Sequence, residues 1–107
     1  MTKGLQTNNF TNKPDKNNTP RKDFAKCITS KELIMYGDDN CEHCQSQKKM
    51  FGDDFAEINY VNCAFEIDRC REKQISVYPV WQKNDNKYVG VQSFEDLARI
   101  SGCTNPN

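Results

Sequence analysis

Residues 33–52 read LIMYGDDNCEHCQSQKKMFG, and this stretch decides the expected fold. It opens with four apolar residues followed by a polar loop, a pattern typical of a short buried strand. A helix is predicted next, with Asp39 or Asn40 as its N-cap. Its buried face repeats at helical spacing, at Cys44, Lys48, Phe51 and Phe55. The stretch therefore predicts a strand, a tight loop and an amphipathic helix in succession.

The rest of the chain continues this alternation. The predicted elements are strands at 58–62, 77–82 and 88–91, a helix at 65–74 and a turn at 84–87. A final helix is marked by a serine cap, an acidic residue in its first turn and a glycine after its last turn, at Ser93, Asp96 and Gly102. The order β-α-β-α-β-β-α predicts an α/β sandwich with two parallel strands joined through helices and a final antiparallel hairpin.

The first 22 residues differ in composition from the rest of the chain. They are rich in Asn, Thr and Lys and poor in large apolar residues, so they cannot bury enough surface to offset the entropy of ordering. We predict a disordered basic tail at residues 1–22 and one domain at 23–107, with a docking arm or a targeting segment as the alternative for the tail. A short helix ending before Ser30 is predicted from an apolar face at Phe24, Ala25, Cys27 and Ile28.

Charge and hydropathy exclude several function classes. The 107-residue chain has 15 basic and 15 acidic residues, so no global field favours a nucleic-acid partner. Its longest apolar stretch has four residues, against the roughly 18 that cross a bilayer or the roughly 7 needed in a signal peptide. We expect no nucleic-acid partner, membrane span or signal peptide. The missing signal favours the cytoplasm, whereas six cysteines in so short a chain favour an oxidising compartment, and both localisations stay open.

The motif Cys41-Glu42-His43-Cys44 stands where the predicted strand gives way to the helix. At a helix N-terminus, free N–H groups and the helix dipole favour the thiolate form of Cys41. Cys44 falls on the buried face within disulfide reach, so it can resolve a mixed disulfide that Cys41 has formed. Protonated His43 adds positive charge, whereas Glu42 and the aspartates before the motif oppose it. The arrangement predicts a redox-active dithiol that needs no cofactor or metal.

A second motif, Val77-Tyr78-Pro79-Val80-Trp81, places a proline at the start of the predicted third strand. Proline is normally excluded from the middle of a sheet, and an X-Pro bond adopts the cis form at modest cost. With these two motifs the chain resembles the thioredoxin superfamily. The resemblance implies a thioredoxin-like three-layer sandwich around a central four-stranded mixed sheet, with a cis bond before Pro79. Trp81 is expected to lie in the core.

More narrowly, residues 35–102 resemble the thioredoxin-like domain of vitamin K epoxide reductase homologues of bacteria and plants. The matching pieces include the C-x-H-C motif with its upstream tyrosine, QKKMFG at 47–52, YVNC at 60–63, YPVW at 78–81 and QSFEDLA at 92–98. In such proteins the domain exchanges disulfides with a membrane-embedded reductase or oxidase module. The resemblance therefore implies a thiol–disulfide oxidoreductase, with protein thiols and disulfides as partners and an upstream sulfhydryl oxidase or reductase.

The same resemblance assigns roles within the site. Cys41 is the nucleophile and the second motif cysteine resolves, while the backbone of Tyr78 and the ring of Pro79 hold the partner's extended chain beside Cys41. Three departures from thioredoxins matter: Met35 replaces a buried aspartate, Asn40 the usual tryptophan or its equivalent, and Glu42 a proline or glycine. Neither the general-base route through that aspartate nor the family's redox potential is expected to transfer.

Four cysteines remain outside the motif. Cys63 and Cys70 match a cysteine pair of the same domain type, which implies a second disulfide, and two buried free thiols are the alternative. Cys27 and Cys103 are then left near the two ends of the ordered part. Because the ends of a compact domain often approach each other, this pair is a candidate terminal disulfide. Six cysteines allow 15 connectivities, and spacing alone does not choose among them.

Two other function classes compete with the oxidoreductase. One is a structural zinc module, with Cys41, Cys44, Cys63 and Cys70 as ligands or with His43 in place of one of them. Only the first pair has the spacing of a zinc knuckle, which weakens that hypothesis. The other is a non-catalytic thioredoxin-fold interaction module whose C-x-x-C forms a stable disulfide.

Overall fold

A computed structural model describes residues 19–107. The helices and strands come in the order α1 (Pro20–Ser30), β1 (Ile34–Gly37), α2 (Glu42–Phe51), a 3-10 helix (Gly52–Glu57), β2 (Tyr60–Asn62), α3 (Ile67–Glu72), β3 (Val80–Lys83), β4 (Asn86–Val89) and α4 (Phe94–Ser101). From β1 onward this is the predicted alternation. None of the helices within residues 19–107 has the length and apolar character that a membrane crossing requires.

The four strands form one mixed sheet in the order β2-β1-β3-β4. β1 and β2 are parallel, while β3 is antiparallel to both β1 and β4. Successive residues of a strand point to opposite faces, so the register sorts the side chains into two sets. Met35 pairs with Trp81, and Tyr36 pairs with Val80. The sheet therefore carries one apolar set on each face.

Helices cover both faces. Met35 and Trp81 share a core with buried residues of α1, α2 and α4, among them Phe24, Ile28, Cys44, Phe51 and Leu97. On the opposite face, Tyr36 and Val80 pack with Val61, Cys63, Cys70 and Ile75, around α3. This confirms the predicted fold class, a mixed α/β arrangement with a central four-stranded sheet. Trp81 is fully buried, as expected for a core residue.

The first helix begins earlier than predicted, at Pro20 rather than Asp23. Thr19 is its N-cap, accepting a hydrogen bond from the Lys22 amide, and proline suits the first helical position because it needs no N–H there. The helix also runs through Ser30, one residue past its expected end. The predicted tail therefore overlaps the first helix and its N-cap at residues 19–22, and residues 1–18 lie outside the described residues.

The hairpin is tighter than predicted. Lys83 pairs with Asn86, so only Asn84 and Asp85 connect β3 to β4, and the fourth strand begins before the expected position. Asn84 adopts a positive φ of 56°, a conformation that asparagine tolerates better than most residues. The last helix has the predicted caps, since the Ser93 side chain accepts from the Asp96 amide and Gly102 follows the last turn with a φ of 81°.

Two disulfides cross-link the fold, one between its two ends and one over a short loop. Cys27 of α1 is bonded to Cys103 beyond α4, with a sulfur–sulfur distance of 2.02 Å. Cys63, directly after β2, is bonded to Cys70 of α3 at 2.01 Å. Cys41 and Cys44 are left as free thiols.

Candidate dithiol site

The free thiols lie at one edge of the sheet. β1 ends at Gly37, and the next loop leads into α2 at Glu42. Because β3 runs antiparallel to β1 and its Val80 pairs with Tyr36, the segment just before β3 reaches the same edge. The two sequence motifs therefore meet there, with the C-x-x-C on one side and Tyr78-Pro79 on the other.

Cys41 is itself the N-cap of α2, so the prediction of Asp39 or Asn40 in that role is wrong. Its sulfur accepts a hydrogen bond from the Cys44 amide at 3.3 Å, which satisfies one of the free N–H groups of the first turn. Asp39 is not free to cap because its carboxylate is bound elsewhere.

The partly exposed Cys41 thiol also contacts the segment before β3. It donates a hydrogen bond to the carbonyl oxygen of Tyr78 at 3.8 Å. The bond between Tyr78 and Pro79 is a cis peptide. Tyr78 is half-buried, whereas the Pro79 ring is fully buried. Of these two residues Tyr78 is the more accessible, so a partner chain beside Cys41 is expected to meet Tyr78 rather than the Pro79 ring.

Cys44 lies directly behind Cys41 and has no exposed surface. Burial raises the pKa of its thiol to about 12, so the sulfur carries its proton at neutral pH. Its sulfur accepts from the Asp38 amide at 3.5 Å. A Cβ added to Gly37 would stand 2.9 Å from this sulfur and 3.2 Å from the Tyr60 ring, so only glycine leaves room for the thiol here.

Residues next to the two thiols have different exposures. Glu42 and His43, which separate the two cysteines, are both exposed to solvent. Met35, in β1, is fully buried in the core. Water therefore screens the charges that Glu42 and His43 were expected to exert on Cys41. Met35 has no acidic or basic group that could act on the thiols.

A polar cluster flanks the buried thiol, and sequence reasoning missed it. The Asp39 carboxylate pairs with the Lys48 ammonium and accepts a hydrogen bond from the Tyr60 hydroxyl at 2.8 Å. The lysine also lies over the Tyr60 ring, 4.2 Å from its centroid. The hydrogen bonds from Lys48 and then Tyr60 hold the pKa of Asp39 below its ordinary value. The sequence did offer one signal for this cluster: a lysine, Lys48, on the predicted buried face of the helix.

A buried glutamine connects α2 to the sheet, and it too was missed. Gln47 is fully buried, and its side-chain oxygen accepts from the Trp81 indole at 2.9 Å and from the Gln92 amide at 2.8 Å. Its amide nitrogen donates to the Gln92 carbonyl at 3.1 Å. These bonds fix the rotation of α2 over the sheet, and hence which side of the helix presents the thiols.

The cysteines do not assemble as a metal site. Within residues 19–107, no cluster of three or more His, Cys, Asp or Glu side chains is arranged to hold an ion. Of the proposed zinc ligands, Cys63 and Cys70 are bonded to each other rather than presented as thiolates beside Cys41 and Cys44.

Comparison with known proteins points to thiol chemistry. The chain is 34% identical over 88 residues to Thiol-disulfide oxidoreductase LTO1 of Arabidopsis thaliana, a similarity that covers 74% of this chain. The chain spans 23% of the length of that relative. No protein-family model matches the chain. Together, the mixed α/β fold and this similarity support a thioredoxin-like family, and the similarity and the paired cysteines support redox chemistry at thiols.

Proposed function

We propose that this protein is a thiol–disulfide oxidoreductase that exchanges disulfides with protein partners through Cys41 and Cys44. One observation carries the proposal: an accessible sulfur and a fully buried one share the first turn of α2, and the accessible sulfur touches the Tyr78 carbonyl. An exposed attacker backed by a protonated second thiol is what a two-step exchange requires.

In the reducing direction, the Cys41 thiolate attacks one sulfur of the partner's disulfide. A mixed disulfide forms between Cys41 and the partner, and the partner's other sulfur leaves as a thiolate that takes up a proton. Cys44 then loses its proton and attacks Cys41, which releases the second partner sulfur. The products are a Cys41–Cys44 disulfide and a partner dithiol, so two electrons pass to the partner. The oxidising direction reverses these steps.

The partner chain is held beside Tyr78. Once Cys41 is in a mixed disulfide, its sulfur no longer donates to the Tyr78 carbonyl, and that acceptor is free for an amide of the partner. Pro79 is fully buried next to Tyr78 and is bonded to it through a cis peptide. His43 contributes positive charge near Cys41 when it is protonated.

The resemblance to the thioredoxin-like domain of vitamin K epoxide reductase homologues refines the partner class. We propose that the physiological partner is another disulfide-carrying redox module, a membrane-embedded or soluble sulfhydryl oxidase or reductase, in addition to substrate proteins. The similarity to a thiol–disulfide oxidoreductase supports this proposal.

Two assays test the function, reduction of insulin and oxidation of reduced ribonuclease. The wild-type chain is expected to catalyse at least one of them, and the Cys41→Ser/Cys44→Ser double variant neither. A wild-type chain with neither activity would contradict the proposal and favour the interaction module. Zinc bound to purified protein at one equivalent, lost together with the thiols of Cys41 and Cys44, would instead favour the metal module.

A further inference from the structure

We propose that Lys48 is a positioning residue whose charge promotes the attack of Cys44 on the mixed disulfide, an inference that rests on the proposed oxidoreductase function. Asp39 and Tyr60 hold the lysine in place for this role. The cluster is thus part of the redox site, although none of its three side chains belongs to the C-x-x-C motif or to the proline segment.

Lys48 is held by two contacts, with the Asp39 carboxylate and with the Tyr60 ring. It follows Cys44 by one helical turn, so both side chains lie on the same side of α2. Its ammonium pairs with the Asp39 carboxylate and lies 4.2 Å from the centroid of the Tyr60 ring. The Tyr60 hydroxyl donates to the same carboxylate oxygen at 2.8 Å. A flexible side chain is thereby kept in one place, which an isolated surface lysine is not.

The cluster borders the buried thiol. The Tyr60 ring and the Cys44 sulfur both come within 3.2 Å of the point where a Cβ on Gly37 would stand, so they are neighbours across this glycine. The Lys48 ammonium lies over that same ring. The Tyr60 ring therefore contacts the cation and also neighbours the buried sulfur.

A nearby cation assists the chemistry of resolution. A thiolate formed at a fully buried sulfur loses its hydration, and burial is the main reason that the pKa of Cys44 is raised to about 12. The positive charge of Lys48 acts in the opposite direction and lowers that pKa. The Asp38 amide also donates a hydrogen bond to the Cys44 sulfur, and this bond likewise lowers the pKa of the thiol. Met35, buried in β1, contributes no charge.

The other charged groups near Cys44 do not cancel this effect. Asp39 carries the opposite charge, but its side chain is 56% exposed against 26% for Lys48, so water screens the carboxylate more strongly. The Cys41 sulfur is uncharged while it is part of the mixed disulfide. The Tyr60 hydroxyl stays protonated, because burial and the Asp39 carboxylate both raise its pKa. Lys48 is therefore a charged side chain whose field favours a thiolate at Cys44 during resolution.

The step balances without a further reactant. Cys44 gives its proton to solvent, a bond forms between the Cys44 and Cys41 sulfurs, and the bond between Cys41 and the partner breaks. The partner sulfur leaves with the electron pair as a thiolate and takes up a proton at neutral pH. Lys48 keeps its own proton throughout and acts only through its charge.

The test separates attack from resolution in the full-length chain. The Cys41–Cys44 dithiol is reduced under conditions that keep both structural disulfides, and the protein is mixed with excess Ellman's reagent. Each protein releases two coloured thiolates, one when Cys41 attacks and one when Cys44 resolves. The first rate rises with reagent concentration and the second does not, which identifies each phase.

Lys48→Met is expected to slow only the second phase. Losing the cation raises the pKa of Cys44 further. A thiolate fraction about tenfold smaller would be offset in part by a nucleophilicity about threefold higher, so resolution is expected to slow about threefold. Lys49→Met is the matched control, since Lys49 is the exposed neighbour on the same helix and its loss should leave both rates unchanged. Lys48→Arg keeps the charge and should restore the second rate.

Three results would overturn the inference: a second phase unchanged in Lys48→Met, an equal slowing in Lys49→Met, or a slowing that Lys48→Arg shares. The last would mean that packing rather than charge is responsible. Failure of the proposed function is distinguishable from all three, because it would appear as wild-type protein inactive on insulin and on reduced ribonuclease.

Discussion

Two short-range cysteine pairs occupy equivalent places in this fold, but one pair is two free thiols and the other is a disulfide. Each follows a strand of the parallel pair, Cys41 and Cys44 after β1, and Cys63 and Cys70 after β2. In the first pair one sulfur is accessible and the other is fully buried, and both are free. In the second pair both residues are at most 4% exposed and are bonded to each other.

If the proposed function holds, accessibility of one sulfur, rather than spacing, separates an exchanging pair from a stabilising one. Cys41 is accessible because it caps α2 instead of lying inside it, and it faces the Tyr78 carbonyl at the sheet edge. Cys63 and Cys70 are covered by Tyr36, Val61 and Val80, on the other face of the sheet. A partner disulfide can reach the first pair without unfolding but cannot reach the second.

Replacing Cys41 in the first pair should cause the greatest loss of exchange activity. Cys41→Ser should reduce disulfide exchange to the level of the double variant, because no accessible attacking sulfur remains. The Cys63→Ser/Cys70→Ser variant should keep exchange activity, since those sulfurs take no part in the chemistry. Insulin turnover by the two variants checks the contrast, and loss of activity in both would contradict the distinction between the pairs.

The structural disulfides should differ in their contribution to stability. Cys27 and Cys103 are separated by 76 residues, and Cys63 and Cys70 by 7. In the chain-entropy model, replacing the long-range pair by serine lowers the free energy of unfolding by about 4 kcal/mol, and replacing the short-range pair by about 2 kcal/mol. Urea unfolding of both double variants measures this. Equal losses would mean that native-state packing, not loop closure, sets their value.

A smaller effect on stability is expected at Gly37, the last residue of β1, which lies against the buried thiol of Cys44. Gly37→Ala would place a methyl group 2.9 Å from the Cys44 sulfur and should destabilise the fold by about 1–3 kcal/mol through overpacking. Ser46→Ala, on the exposed side of α2, is the control and should cost almost nothing. Equal unfolding midpoints for Gly37→Ala and wild type would show that Cys44 is not tightly packed.

The smallest effect concerns the redox potential. Glu42→Gln removes a negative charge beside Cys41, which favours the reduced dithiol and should raise the potential by at most about 30 mV because the side chain is exposed. Glu95→Gln, in the first turn of α4, is a matched control and should not change the potential. Glutathione titrations compare the three proteins. A lowered potential in Glu42→Gln would show that local charge does not control the dithiol.

Features encoded by neighbouring residues could be predicted from the sequence, and features that depend on distant residues could not. Ser93, Asp96 and Gly102 mark α4 within a few positions of one another, and the structure has those caps. The burial of Gln47 was missed because its partners are Trp81 and the backbone of Gln92, more than 30 residues away.

The site shows the same division. The position of the C-x-x-C between β1 and α2 follows from local pattern, and the structure places it there. The Asp39–Lys48–Tyr60 cluster depends on the register of β1 against β2, which pairs Met35 with Tyr60 and brings the tyrosine beside the loop. Cys41 as an N-cap was missed because sulfur is not among the usual capping groups, so Asp39 and Asn40 were preferred.

Trapping of a mixed disulfide tests the central claim, that Cys41 attacks and Cys44 resolves, most directly. Reduced Cys44→Ser and Cys41→Ser variants are each mixed with a disulfide-bonded peptide, and intact masses are recorded after alkylation. We predict that Cys44→Ser accumulates a covalent adduct with one half of the peptide through Cys41, whereas Cys41→Ser forms none. An adduct on Cys41→Ser and none on Cys44→Ser would contradict the account.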